Sequence, residues 1–229
     1  FMTFTELIDN AIKKDNDDKK HIPSGKWKPS SFGFCYRRQY WSRKGESETN
    51  PPDARVHRIF KSGKIFHDWV QGLLGDTIES EVLVETDNVK GYADCVNGEM
   101  VIDIKTVHSG SFHYMTNSED IKKDKYHNFL QVMWYAMELK KRYGEICFIS
   151  KDDLCIQEYR FEVEGYWKDE VVKEIATLEA FWASNKLPNP EPRLFISIKS
   201  PCKECETYCP YLNKCYKLQS KELPKKKGD

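Results

Sequence analysis

The chain predicts an α/β fold, a mixed central β-sheet flanked by helices. Three observations predict it. Residues 56–74 and 126–142 repeat apolar side chains at helical spacing. Five strand-like runs lie near 77–86, 91–96, 100–106, 145–150 and 154–163. A last helical pattern covers 167–184. The order helix, three strands, helix, two strands, helix is that of a layered core in which helices cover a sheet.

Each element has its own reason. Residues 1–29 are polar and lysine-rich, with an amphipathic start at Phe4, Leu7, Ile8 and Ile12. The KPSS run at 28–31 predicts a helix entry, because Ser30 or Ser31 can accept the orphan N–H bonds of a first turn. GESETNPPDA at 45–54 reads as a loop. The helix over 56–74 rests on Val56, Ile59, Phe60, Phe66, Val70, Leu73 and Leu74, and that over 126–142 on Tyr126, Phe129, Leu130, Met133 and Met137. Lys151-Asp152-Asp153 turns one late strand into the next, and Val171, Ile175, Leu178 and Trp182 mark the last helix. Residues 186–201 are proline-rich and irregular, and 202–215 are dense in cysteine. No internal repeat is present. The expected organisation is one domain over 1–229 with a core at about 56–184, a cysteine-rich metal-binding region made of 30–44 together with 186–216, and a disordered basic tail at 217–229.

Thirty-six basic residues balance 36 acidic ones in 229. A neutral chain is not one that coats nucleic acid over its whole surface, though a local basic groove remains open. Local patches are Arg37, Arg38, Arg43 and Lys44, then Lys122, Lys123 and Lys125, then Lys140, Lys141 and Arg142. No apolar run reaches the roughly 20 residues of a membrane helix, and no secretory pattern is present. The expectation is a soluble cytoplasmic protein with no membrane partner. Its eight cysteines are then unsuited to a disulfide framework, and their clustering points to metal.

The segment GYADCVNGEMVIDIKT at 91–106 sets charges inside a strand pattern, which is costly unless something pairs with them. Asn97-Gly98 predicts a two-residue type I′ turn, which pairs Val96 with Glu99, Cys95 with Met100, Asp94 with Val101 and Ala93 with Ile102. One face then carries Tyr92, Asp94, Val101, Asp103 and Lys105, and the other Ala93, Cys95, Ile102 and Ile104. Asp94 and Asp103 become diagonal neighbours roughly 7–8 Å apart, able to share a hard divalent cation such as Mg²⁺ or Mn²⁺. Lys105 can donate to water or to a phosphoryl oxygen. The plain alternative is a solvated strand face with one Asp103–Lys105 salt bridge. His67 lies on the apolar stripe with Gly63 one turn earlier, where it is either a core histidine or a third metal ligand. Gly63 would let the helix come close. Gln131 and Tyr135, an i, i+4 pair, are either helix decoration or groove-wall contacts to phosphate and sugar.

SGKIFH, GYAD, DIKT and QVMWY, in that order, resemble the RecB-like branch of the PD-(D/E)XK nuclease superfamily, over residues 31–215. The resemblance implies a restriction-endonuclease-like core and a Mg²⁺- or Mn²⁺-dependent deoxyribonuclease. It implies that His67, Asp94, Asp103 and the carbonyl of Ile104 hold the metal. Lys105 would position or activate the water, and Gln131 and Tyr135 would contact the DNA strand. Asp103 stands where a glutamate is frequent, and its shorter arm bears on metal preference.

PCKECETYCPYLNKC at 201–215 contains Cys202, Cys205, Cys209 and Cys215. Four thiols so spaced are ligand-like, and two fillings compete. The four alone can wrap Zn²⁺. Alternatively three of them, joined by distant Cys35, hold an iron–sulfur cluster. SSFGFCYRRQYW at 30–41 resembles the early cysteine segment of iron–sulfur RecB-like nucleases, the Cas-four-like and exonuclease V-like proteins. There a 4Fe–4S cluster joins one early and three late cysteines, usually spaced Cys-x2-Cys-x5-Cys. This chain has one late cysteine more, so one of Cys202, Cys205 and Cys209 is spare. The other three cysteines, Cys95, Cys147 and Cys155, sit on strand patterns.

The function so expected is phosphodiester hydrolysis by metal-activated water, as an exonuclease on single-stranded DNA or frayed ends. The competing expectations are a non-catalytic nucleic-acid-binding module with a four-cysteine zinc site, and a structure-specific endonuclease of the same superfamily. Protein partners are unknown.

Overall fold

The structure, a computed structural model, describes residues 2–18, 24–191, 193, 204–205 and 209–218. Five strands form one sheet: β1 (Glu79–Glu85), β2 (Lys90–Asn97), β3 (Met100–Val107), β4 (Tyr143–Ser150) and β5 (Ile156–Glu162). They lie in sequence order across the sheet. Every pair is antiparallel except β3 and β4, which run parallel. Among the described residues the helices are α1 (Phe4–Asp18), α2 (Tyr36–Lys44), α3 (Ala54–Leu74), α4 (Ser109–Thr116), α5 (Ile121–Asp124), α6 (Tyr126–Glu138), α7 (Tyr166–Ala183) and α8 (Leu212–Leu218). The expected mixed sheet with flanking helices is present.

The chain divides into two compact units. One comprises 26–33 and 60–179 and holds the whole sheet. The other comprises 1–25, 34–59 and 180–229. In the sheet unit, α4 to α6 supply the crossover that a parallel β3–β4 pair needs. α6 is buried at every position from Asn128 to Ala136, as suits a helix that is apolar almost all round. It packs on β3 and β4, and its Phe129 ring stacks on Trp167 at 5.1 Å. On α3, Phe66 and Val70 meet Cys95, Ile102, Ile104 and Ile149 in a separate apolar cluster.

Three sequence expectations are corrected. KPSS does not start a helix. Pro29–Ser31 form a single 3-10 turn, and α2 begins at Tyr36 behind Cys35, with no side-chain cap. α6 stops at Glu138 rather than running to 142, because Lys140 turns to a left-handed φ of 53°. The β2–β3 turn is Gly98-Glu99 rather than Asn97-Gly98, with Asn97 paired to Met100, Val96 to Val101 and Cys95 to Ile102. Gly98 takes φ 49°, the pattern of a type II′ turn, which wants glycine first. The physical reason is burial: this register sets Val96 against Val101, 4% and 1% exposed, where the other would oppose Val96 to Glu99. The offset is two residues, so the alternation of faces survives.

Candidate metal centre

α3 delivers the first side chains. Phe66 and Val70 point into the apolar cluster, so the next residue along at each turn, His67 and Gln71, rides beside it toward β1 and β2. Gln71 Nε2 donates to the main-chain oxygen of Asp94 at 2.8 Å and lies 3.4 Å from Glu81 Oε1. His67 Nδ1 is 3.7 Å from Asp94 Oδ2. Gly63 is not the reason α3 comes close. A methyl group there would sit 3.7 Å from Thr106 Oγ1, an ordinary contact.

Asp94 stands where the β2–β3 ladder ends. Cys95↔Ile102 is its last pair, and the same register carried one step further sets Asp94 opposite Asp103 rather than diagonal to it. There the Asp94 carboxylate replaces a strand partner, with Oδ2 accepting the Ile104 N–H at 2.8 Å. Asp103, on β3, is 2% exposed. Its Oδ1 accepts from Lys105 Nζ at 2.9 Å and from Gln131 Nε2 at 2.9 Å. Its Oδ2 lies 2.7 Å from the Lys105 ammonium but makes no directed hydrogen bond. Burial pushes the Asp103 carboxyl up to about 7, with Lys105 pulling it down and Asp94 pushing it up. Burial also pulls the Lys105 ammonium down, but Asp103 and Asp94 outweigh it and hold the group above its ordinary value. The side chain keeps 29% exposure, which limits what burial costs it.

The structure gathers His67, Asp94 and a residue that the sequence reading missed, Glu81. One nitrogen and two carboxylate oxygens of these three lie within 4.8 Å of one another. Glu81 has a left-handed φ of 52°. It interrupts the β1–β2 ladder between Ser80↔Cys95 and Val82↔Ala93. A signal for it was present. In ESEVLVE the acids at 79, 81 and 85 alternate with Val82 and Val84, and pairing β1 against β2 puts Glu81 across from Asp94. The donor set, half-buried His67 and Asp94 with exposed Glu81, offers two carboxylate oxygens and one imidazole beside a paired Asp103 and Lys105, which fits a hard divalent cation.

Gln131 and Tyr135 are both buried. The Gln131 amide is engaged with Asp103. Tyr135 braces β2 by packing its hydroxyl against Gly91, and burial pushes that hydroxyl well above the ordinary phenol range. Gly91 makes this possible, since a Cβ there would lie 2.4 Å from the Tyr135 oxygen.

In the other unit, Cys35 heads α2. Burial pushes its thiol up, main-chain N–H groups of Arg38 and Arg37 pull it back, and Glu204 pushes it up. Burial likewise raises Cys209 to about 11, with Arg38 lowering it and Cys35 and Cys215 raising it. These three thiols therefore share one neighbourhood, in which Arg37 Nη1 is 3.7 Å from Cys215 Sγ. Glu204 is buried and accepts from the Cys35 and Arg193 N–H groups at 2.8 and 2.7 Å. Cys205 is half-buried. Cys202 and residues 219–229 of the expected tail lie outside the described residues. The first basic patch is partly spent within its own unit: Arg37 donates to the Pro188 carbonyl, Arg38 lies over Phe34, and Arg43 donates to Gly25. Among the described residues no helix is long and apolar enough to cross a membrane.

No family model and no curated protein matches the chain. Among solved structures it is similar to the crystal structure of SSO0001, with 19% identity, a TM-score of 0.58, and 93% of this chain and 96% of that one covered. It is also similar to the crystal structure of an alkaline exonuclease, LHK-Exo, from Laribacter hongkongensis, with 15% identity and a TM-score of 0.50, over 71% of this chain and 92% of that one. At these identities the likeness is one of architecture: the α/β core with its five-stranded mixed sheet is a nuclease-like fold.

Proposed function

We propose that the chain is a Mg²⁺- or Mn²⁺-dependent deoxyribonuclease that degrades single-stranded DNA or frayed ends from a terminus. One observation carries the proposal. His67, Glu81 and Asp94 converge within 4.8 Å beside the buried Asp103–Lys105 pair, in a fold similar to that of an alkaline exonuclease. His67, Glu81 and Asp94 would hold the cation, with Asp103 and the Ile104 carbonyl completing its surroundings. When bound, the ion supplies charge to the scissile phosphate and acidity to a water. The protein does the rest. Lys105, kept charged by Asp103 and Asp94, offers an ammonium to the attacking water or to the phosphoryl oxygen that gains charge. Gln131 holds Asp103 in one orientation, and Tyr135 holds the β2 backbone that carries Asp94. Both residues of the i, i+4 pair thus serve the strand through the site they position.

Cys35 and Cys215, with two of Cys202, Cys205 and Cys209, would ligate a 4Fe–4S cluster, zinc being the alternative filling. Burial holds the Cys35 and Cys209 thiols above their ordinary range, and a soft metal would draw off their protons on binding.

The test is end-labelled linear single-stranded DNA with Mn²⁺. Wild-type protein degrades it and spares circular single strands. Asp94→Asn keeps an oxygen for the Ile104 N–H but loses the charge, and it slows cleavage by on the order of 1,000-fold. Intact linear DNA with both Mg²⁺ and Mn²⁺ would refute the enzyme, retention without turnover would mark a binding module, and cut circles an endonuclease.

A further inference from the structure

Tyr92 and Leu83 face each other across the β1–β2 ladder, and directly opposed residues share a face. Tyr92 is 51% exposed and Leu83 49%, whereas the alternate pair, Val82 and Ala93, is more deeply set. Two residues further along β2 stands Asp94, whose carboxylate comes within 4.8 Å of that of Glu81, the residue that interrupts the ladder. On the other side the face continues with Glu85 and Lys90, joined at 2.9 Å. The ribbon thus presents three steps in order: an acid pair, an apolar pair with one aromatic ring, and an ion pair. Successive steps are about 6.7 Å apart, two residues of a strand. That is one nucleotide's reach from a phosphate to the base beside it.

We propose that Tyr92, with Leu83 beside it, is a stacking shelf for the unpaired base next to the scissile phosphate. This rests on the nuclease reading of the acid pair. An aromatic ring stacks on any base, because every base has a π-face, so the shelf selects single-strandedness rather than sequence. A base still held in a duplex keeps its own stacking partners and gains nothing there. Tyr135 and Gly91 make the shelf firm. The Tyr135 phenol is packed closely against Gly91, the residue before Tyr92, so the strand under the ring does not yield when a base presses on it.

The test uses the full chain and a short single-stranded oligonucleotide carrying 2-aminopurine beside the cleaved linkage. Binding is measured without divalent ion, and cleavage with Mn²⁺. In the wild type, binding quenches the 2-aminopurine fluorescence. Tyr92→Phe keeps the quench and the affinity. Tyr92→Ala loses the quench and weakens binding roughly 5- to 150-fold, with the loss in KM rather than kcat. An abasic nucleotide at the same place costs the wild type a similar factor and costs Tyr92→Ala nothing more. Tyr92→Leu, which keeps a bulky apolar side chain on the strand, guards against misfolding and behaves as Tyr92→Ala does. Equal affinity and quench in wild type and Tyr92→Ala overturn the shelf while leaving the nuclease intact. A wild type that neither binds nor cuts single strands overturns both.

Discussion

In the proposed nuclease, Asp103 is the residue on which the chemistry of the site turns. It is nearly inaccessible to solvent, yet it is given an ammonium and an amide rather than left to the apolar core. Burial raises its carboxyl well above the ordinary aspartate range, so it holds a proton at pH values where a free aspartate has lost it. A cation competes with that proton. Mn²⁺ affinity therefore rises with pH above the range in which a free aspartate titrates, and levels off once Asp103 is ionised, as isothermal titration at several pH values would reveal. The amide of Gln131 favours the charged form, so Gln131→Leu shifts this rise to higher pH. It also lowers metal affinity or activity by about 10- to 100-fold, the usual cost of losing a group that orients a ligand. A Gln131→Leu profile identical to wild type would rule out that coupling. Asp103 and Lys105 were legible because strand alternation alone puts them on one side. Glu81 was not, because its part in the site depends on which strand lies next to it.

At the scale of elements, the hairpin and α6 show where sequence patterning loses resolution. The Asn97-Gly98 dipeptide marked the right place but the wrong register. Local turn preference is worth less than setting Val96 against Val101 in the core, and no turn rule contains that pair. The crossover helices α4 and α5 went unseen, since each is eight residues or fewer and has little apolar stripe to reveal it. Gly91 is a sharper case. In sequence it reads as the start of a strand, and in the fold it is the gap that Tyr135 fills. Gly91→Ala forces a contact of 2.4 Å with the phenol and 3.0 Å with Pro29, and it destabilises by about 1–3 kcal/mol in urea unfolding. Adding Tyr135→Phe removes the offending oxygen, so the double variant loses less than the sum of the two single losses. Strict additivity would mean that the two residues do not meet.

For the molecule as a whole, the two compact units gather two kinds of candidate ligand, carboxylates with an imidazole in one and thiols in the other. The succession of helices and strands along the chain, and with it a mixed sheet, could be read from apolar periodicity. The division of the chain could not, because one unit is assembled from three distant stretches. Glu204 ties Cys35 to Arg193 in that unit without any metal. If the thiols hold a cluster, protein purified without oxygen is brown and carries iron. Cys35→Ala and Cys215→Ala lose the iron and melt lower by on the order of 10 °C, since binding energy is folding energy. Cys155→Ser, at an exposed strand end, changes neither. Wild type free of both iron and zinc would exclude a soft metal there.

The left-handed backbone at Glu81 has a consequence for how such chains diverge. A side chain other than glycine or asparagine in that conformation costs on the order of 1 kcal/mol or more, and the acid recoups none of it from a regular ladder. Selection for robustness alone would put glycine at this position. If Glu81 holds the ion of the proposed nuclease, a descendant that retains the carboxylate is under pressure to keep cutting, and one that has drifted to glycine has given up the ion.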